Sequence, residues 1–198
     1  MIGFVIAAAV AAGGTALWYA TRDEPPRSGS QLAPVGYRSF TELEGATDAT
    51  LVVRVMTAPR RFVDFGADGQ PDAPGDPGVP VELVDAEVTQ VLRGDPALDG
   101  ERITLSQPVP GSGDAGTAQV AADRMQRGAA YLVVARLVTP NPGVGDGGDV
   151  WVPAGSGQGV YDVRPDGAVT PRAPGVFREL FGPEGERRVT VAQLDARA

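Results

Sequence analysis

Carboxylates, hydroxyls, amides and guanidinium groups supply the polar chemistry of this 198-residue chain, which has 25 acids, no histidine and no cysteine. Its 17 basic residues are all arginine, so a Walker A phosphate loop, a Schiff base and a Ser-Lys dyad are excluded. The missing histidine removes a Ser-His-Asp triad and an HExxH zinc site. The missing cysteine removes thiol nucleophiles, disulfides and thiolate metal sites. Acids alone could hydrolyse a glycoside through a carboxylate pair. With 25 acids such a pair arises by chance, so no catalytic residue is assigned and a carboxylate-only hydrolase stands as an alternative.

Other spacings invite a chemical reading and then lose it. Asp64, Asp68, Asp72 and Asp76 offer oxygen ligands for Ca²⁺. Calcium loops place acids at alternate residues around a fixed glycine, whereas these stand four apart among prolines. They read as a solvated acidic loop, as do Asp146 and Asp149, and no metal is expected. Gly111-Ser112-Gly113-Asp114-Ala115-Gly116 matches GxGxxG, but Pro108 and Pro110 part it from the preceding strand. The following strand ends at Thr139-Pro140 rather than at an acid for a ribose, so a flexible loop is expected and no cofactor. Gly155-Ser156-Gly157-Gln158-Gly159 misses the G-x-S-x-G register and reads as a loop entering a strand, with glycine for close backbone approach. Trp151 and Tyr161 could form a stacking surface for a sugar, and packing in a core or turn is their other use. Arg60-Arg61 and Arg187-Arg188 read as exposed faces. A formal charge of −8 without basic patches interleaved with aromatics excludes general nucleic-acid binding.

The elements that must position these side chains are mostly strands. Valine (26) outnumbers leucine and isoleucine together (15), and β-branched side chains suit a pleated surface. Thr41-Glu42-Leu43-Glu44 reads as a capping box opening a short helix that ends by Gly45. Leu51 to Met56 is a buried strand with Arg54 on its opposite face or at an edge. Residues 59–80 read as a long acidic loop. Val84, Ala86 and Val88 alternate with Asp85, Glu87 and Thr89, giving a strand or bent pair over 81–92 whose phase shift at Val91-Leu92 predicts a bulge or strand bend. Arg93-Gly94-Asp95-Pro96 turns the chain into a strand at Ile103 to Gln107. A short helix over Gln119 to Gln126 and an apolar strand over Tyr131 to Val138 follow. Val150 to Val152 and Gly159 to Val163 are expected to pair with each other. Pro165-Asp166-Gly167 leads to a strand at Val169, and Thr190-Val191-Ala192-Gln193 caps a last short helix. The fold class is mainly β, a small barrel or sandwich with one or two short helices.

Ahead of this domain, Ile2 to Ala20 carries no charge and is long enough for one hydrocarbon core. Trp18 and Tyr19 stand where rings favour the membrane interface. Residues 1–20 thus read as a single transmembrane anchor; Gly14-Thr15-Ala16 keeps a cleaved signal peptide as the alternative. Residues 21–36, with Pro25-Pro26 and Ser28-Gly29-Ser30, form a linker, and residues 37–198 the domain. Arg22 and Arg27 follow the span, a count that alone favours a cytoplasmic domain, although long domains cross largely regardless of charge.

Over residues 40–165 the order of signals resembles one family pattern: a short helix, Leu51-Val52-Val53-Arg54-Val55, Val88-Thr89-Gln90-Val91-Leu92-Arg93-Gly94, Arg102-Ile103-Thr104-Leu105, then Gly128 with Tyr131-Leu132-Val133-Val134. It is similar to the OB-fold-like barrels of actinobacterial cell-surface proteins and, more distantly, to the netrin-like barrel of the metalloproteinase inhibitors. The inhibitors' activity is not carried over, because it needs an amino-terminal cysteine that this chain lacks. What the resemblance implies is an OB-like β-barrel outside the cytoplasmic membrane. The expectation is a membrane-tethered, non-enzymatic interaction domain. Its partners would be the membrane, through residues 2–20, and another envelope protein or polysaccharide; a carbohydrate- or peptide-binding module near Trp151 and Tyr161 is the alternative.

Overall fold

Strands rich in β-branched residues must satisfy their backbone groups with neighbours while burying one or both faces. In the computed structural model, which describes residues 36–64, 71, 73–109, 124–138, 148–155, 157–172, 176–182 and 187–197, they do so by closing on themselves. Strand β1 (Ala49–Val55) pairs antiparallel with β3 (Val79–Arg93) on one edge and β5 (Ala130–Val138) on the other. β3 continues to β4 (Arg102–Pro108), β4 pairs parallel with β6 (Val150–Pro153), and β6 returns antiparallel to β5. The result is a closed five-stranded barrel of order β1-β3-β4-β6-β5. Closure leaves no open edge in the ring, the usual route to edge-to-edge aggregation.

The expected anchor over residues 1–20, the linker up to residue 35 and the glycine motif at 111–116 lie outside the described residues. Among the described residues no helix is long and apolar enough to cross a membrane.

Two strands are longer than the ring needs, and each takes a second partner on one edge. β3 pairs with β1 from Ala86 to Arg93 and with β2 (Arg60–Asp64) from Val79 to Leu83. β5 pairs with β6 from Ala135 to Val138 and with β7 (Val160–Val163) from Ala130 to Val133. Between them Val134 holds both ends of the β6–β7 connection. Its carbonyl accepts from Ala154 N–H (3.0 Å) and its N–H donates to Gly159 C=O (2.9 Å). β6 and β7 therefore do not pair with each other, as the sequence pattern led one to expect; β5 takes them one after the other along a single edge. The intervening loop also grips the start of the domain. Gln158 Oε1 accepts from Tyr37 N–H (2.8 Å), and Gln158 Nε2 donates to Tyr37 C=O (3.0 Å).

β7 leads outward to β8 (Ala168–Pro171) and β9 (Val189–Thr190), and this extension frames a second core. Helices α1 (Phe40–Gly45), α2 (Arg178–Phe181) and α3 (Val191–Asp195) contribute to it with Val52, Leu132 and Val134 from the outer faces of β1 and β5. Phe40 meets Tyr161 and Phe177 edge-on at 6.0 and 5.9 Å, while Phe181 stacks on Tyr161 at 5.6 Å. Such pairs add about 0.5–1.5 kcal/mol to their burial. Inside the barrel the alternate residues Leu51, Val53 and Val55, Val84, Ala86 and Val88, and Tyr131, Val133 and Ala135 form the first core.

Capping side chains decide where α1 and α3 begin. α1 is capped by Ser39, whose Oγ accepts from Glu42 N–H (3.1 Å), and Glu42 Oε2 accepts from Arg38 N–H (2.8 Å). The N-cap is thus Ser39, two residues before the Thr41 expected, and the reciprocal box is not closed because Glu42 takes the N–H of Arg38 rather than that of Ser39. The Thr190–Gln193 box of α3 forms as expected, with Thr190 N–H donating to Gln193 Oε1 (2.9 Å). β2 occupies part of the stretch read as loop. Arg124 to Gln126 are not helical, and the rest of the helix expected over 119–126 lies outside the described residues. The β1–β3 register slips opposite Leu92 and again opposite Thr89, so the expected bulge is one of two.

Gly159 is the tightest position of the frame. A Cβ there would stand 2.5 Å from Ala154 O and 2.9 Å from Val134 O, both backbone atoms that cannot swing aside. Gly159→Ala is expected to destabilise the fold by about 1–3 kcal/mol, read as a lower urea midpoint with unchanged slope; an unchanged midpoint would contradict the Val134 staple.

Candidate functional site

Antiparallel pairing brings the start of β1, the end of β3, the starts of β4 and β6 and the end of β5 to one rim of the barrel. There β4 and β6 pair over only two positions, Thr104 with Val150 and Leu105 with Trp151. At this rim Arg102, Ile103, Thr104, Gly148 and Asp149 line an open groove of about 1030 Å³. Asp48, Asp95, Leu98, Glu101, Leu137 and Trp151 complete its lining. Four carboxylates face one guanidinium, so the groove is net negative.

The carboxylates are not equivalent. Asp48 Oδ2 accepts from Leu137 N–H (2.8 Å) and so stitches β5 to the entry of β1. Asp95 Oδ1 accepts from Ala97 N–H (2.9 Å) and caps the 3₁₀ turn Pro96–Leu98. Glu101 and Asp149 are exposed and make no side-chain hydrogen bond or ion pair among the described residues. They are the groups left for an occupant.

Trp151 belongs to the barrel interior and is only 6 % exposed. No group among the described residues accepts its indole N–H. Among the described residues Arg93 Nε is the one side-chain polar atom both sealed from solvent and unpartnered, and the small exposed part of Trp151 lies at the groove it lines. Tyr161 is fully buried in the second core, where its hydroxyl donates to Gln158 C=O. Burial pushes that hydroxyl well above the usual tyrosine range, with Glu179 and Glu44 adding to it. The shared stacking surface expected of Trp151 and Tyr161 is therefore not assembled: the two rings sit in different cores, and neither offers a face to a sugar.

The far end of the barrel is closed. Glu82 and Gln107, 5 % and 2 % exposed, face each other across β3 and β4. Gln107 Nε2 donates to Glu82 Oε2 (3.0 Å), and Gln107 Oε1 accepts from Met125 N–H (2.7 Å). Arg124 donates to the same Glu82 oxygen at 3.2 Å. This network seats Met125, 1 % exposed, in the barrel interior. Arg172 lies over the Tyr131 ring at 5.4 Å and donates to Arg124 C=O, which fixes the same corner. The network was missed in the sequence although its signal is present. Glu82 is in phase with Val84, Ala86 and Val88, and Gln107 with Ile103 and Leu105, so two polar side chains stand on dry faces.

Among the described residues no group of three or more acids could hold a metal ion. Of the aspartates weighed for calcium, Asp76 Oδ1 accepts from Gly78 N–H (2.9 Å), a local turn bond. Asp68, Asp72 and the side chain of Asp64 lie outside the described residues, as does Asp146. Comparison with protein-family models, with curated proteins and with solved structures found no match.

Two outcomes follow from these environments. Gln107→Leu strips Met125 N–H of its acceptor and Glu82 of a donor, at about 1–3 kcal/mol for the buried group left unpaired; denaturant titration checks this. A folded-state tyrosine pKa above the unfolded value makes the unfolded chain lose its proton first. Stability from Tyr161 is then complete below about pH 10 and falls as pH rises beyond it. The difference in melting temperature between the wild-type chain and Tyr161→Phe is expected to narrow or reverse above that pH; a constant difference would count against the buried neutral hydroxyl.

Proposed function

We propose that this chain is a membrane-tethered, non-enzymatic interaction domain acting outside the cytoplasmic membrane, and that the open mouth of its barrel is the binding face. The observation that carries the reading is the asymmetry of the two barrel ends. One is plugged by Met125 over a hydrogen-bonded Glu82–Gln107 floor, and the other opens into a groove where Glu101 and Asp149 have no partner among the described residues. A non-catalytic role is supported by a composition without histidine, cysteine or lysine. Membrane tethering is supported by the uncharged run from Ile2 to Ala20.

The finer fold reading belongs to the same proposal. Numbering the ring strands by their order in the chain gives 1-2-3-5-4, with the third and fifth parallel. A five-stranded Greek-key barrel of this kind is what an OB-like fold requires. This supports the resemblance to the OB-fold-like barrels of actinobacterial cell-surface proteins. Within the alternative of a carbohydrate- or peptide-binding module, the burial of Tyr161 and Trp151 favours the peptide, because a sugar needs an exposed ring face to stack upon.

The test is retention by the cell envelope. The full chain is expected to remain with envelope material, and Glu101→Gln/Asp149→Asn to lower retention about fivefold as two charge-assisted contacts are lost, with unchanged melting. Retention indifferent to these changes would remove the mouth as the binding face. A reporter fused after Ala198 should be active outside the membrane; activity only inside would overturn the location. Steady turnover of an envelope substrate by the purified chain would overturn the non-enzymatic part.

A further inference from the structure

We infer that two copies of this chain join through the open edge of β2, a five-residue strand that is its own complement. β2 stands off the barrel ring. It pairs with β3 on one side, and no strand lies along its other edge among the described residues. Its place beside Glu82 puts it at the closed end of the barrel, away from the mouth.

The neighbouring strand decides which groups that edge offers. Asp85 turns both its backbone groups toward the β2 side of β3: its N–H donates to Thr57 Oγ1 (2.9 Å) and its C=O accepts from Met56 N–H (2.8 Å). Val88 turns to the β4 side, its N–H donating to Glu101 C=O and its C=O accepting from Gly100 N–H, each at 2.9 Å. Alternation along β3 therefore directs Leu83, Val81 and Val79 toward β2, where they face Arg60, Phe62 and Asp64. Pro80 falls on the β4 side, so its missing N–H takes nothing from this pairing. The N–H and C=O of Arg61 and Val63 are left pointing outward, and no described residue bonds to them.

These outward groups are placed symmetrically about Phe62. A second β2, laid antiparallel across a two-fold axis at Phe62, sets Arg61 opposite Val63 and Val63 opposite Arg61. Each pair then exchanges both its hydrogen bonds. The same alignment sets Arg60 across from Asp64 of the other copy at both ends, a basic residue opposite an acidic one. Arg60 rests on Asp85 at 3.7 Å with its side chain half exposed, so it remains within reach. Val63, 39 % exposed, is covered by the aliphatic stem of the other copy's Arg61. Other alignments are worse. An axis at Arg61 opposes two arginines and sets Val63 against Pro59, which has no N–H to give. An axis at Val63 sets Arg61 against residue 65, beyond the strand. A foreign strand meets the same backbone groups, the general mode of sheet extension. The order of charges and the symmetry about Phe62 single out a second copy, the isologous contact of a two-fold dimer.

The chain has no cysteine, so an introduced thiol reports on one position. The full chain is studied in non-ionic detergent. Phe62→Cys stands on the axis, where facing Cα atoms about 4.5 Å apart are within disulfide reach. Mild oxidation should link it about tenfold faster than Arg61→Cys or Val63→Cys alone, whose like positions lie diagonally, roughly 7–8 Å apart. Because Phe62 packs against Leu83 and Val150, a mixture of Arg61→Cys chains with Val63→Cys chains repeats the test at exposed positions and should also link. Val63→Pro removes an outward N–H and none that β3 uses. It should turn a sedimenting dimer into a monomer, while denaturant titration shows the domain still folded. A wild-type chain that is monomeric at every concentration overturns the inference, as does a dimer that survives Val63→Pro or equal linking at all three positions. A monomeric chain whose envelope retention is lost in Val63→Pro assigns the edge to a strand of another protein, which also overturns it. Glu101→Gln/Asp149→Asn should dimerise as the wild type does, so the edge and the mouth are judged separately.

Discussion

β5 is in hydrogen-bonding contact along both edges and in apolar contact on both faces. Its inward residues Tyr131, Val133 and Ala135 belong to the barrel core, and its outward residues Leu132 and Val134 to the core under the helices. One edge carries β1; the other carries β7 and then β6. This explains why it reads as a continuous apolar run rather than an alternating one, since a strand covered on both sides has no wet face. Barrel closure, placement of the outer sheet and the position of Trp151 at the mouth all refer back to its register. A one-residue slip would exchange the residues of the two cores.

How much of this was legible in the sequence depended on whether the deciding contact was local. The β3 alternation, the Gly45 stop, the turn at Asp166-Gly167 and the Thr190–Gln193 box are fixed by neighbours a few residues away, and they stand where the pattern put them. The division of the β5 edge between β6 and β7 is decided by Val134, far along the chain from Ala154 and Gly159, and no short-range pattern announces it. β2 is short and lies among prolines and acids, so its pairing with β3 outweighed a composition that reads as loop. α2 follows Phe177, which adopts a left-handed backbone (φ 46°) unusual for a bulky residue, and the sequence reading assigned no element there. For the candidate site, Trp151 could be singled out by type, whereas Glu101 and Asp149 are two acids among 25 until the barrel brings both to the lining of one groove.

The barrel also separates two uses of polar side chains. At the closed end Glu82 and Gln107 are buried and matched, a carboxylate with an amide and a guanidinium, so burial strengthens their bonds instead of leaving them orphaned. At the open end Asp48 and Asp95 accept from backbone N–H groups, while Glu101 and Asp149 are exposed and have no side-chain partner among the described residues. Satisfied groups hold the frame, and unsatisfied ones remain where another molecule can reach them.

The clamp between Gln158 and Tyr37 has a mechanical meaning. Any pull on the chain ahead of Tyr37 enters the domain through two hydrogen bonds to one glutamine side chain. That glutamine sits in the loop whose ends are fastened to Val134, so the load passes directly to β5. Force is delivered to the strand shared by both cores, where it must shear several ladders together rather than peel one edge. Load entering at this point thus reaches the strand that both cores share, while the mouth lies at the other end of β5 from the β7 pairing.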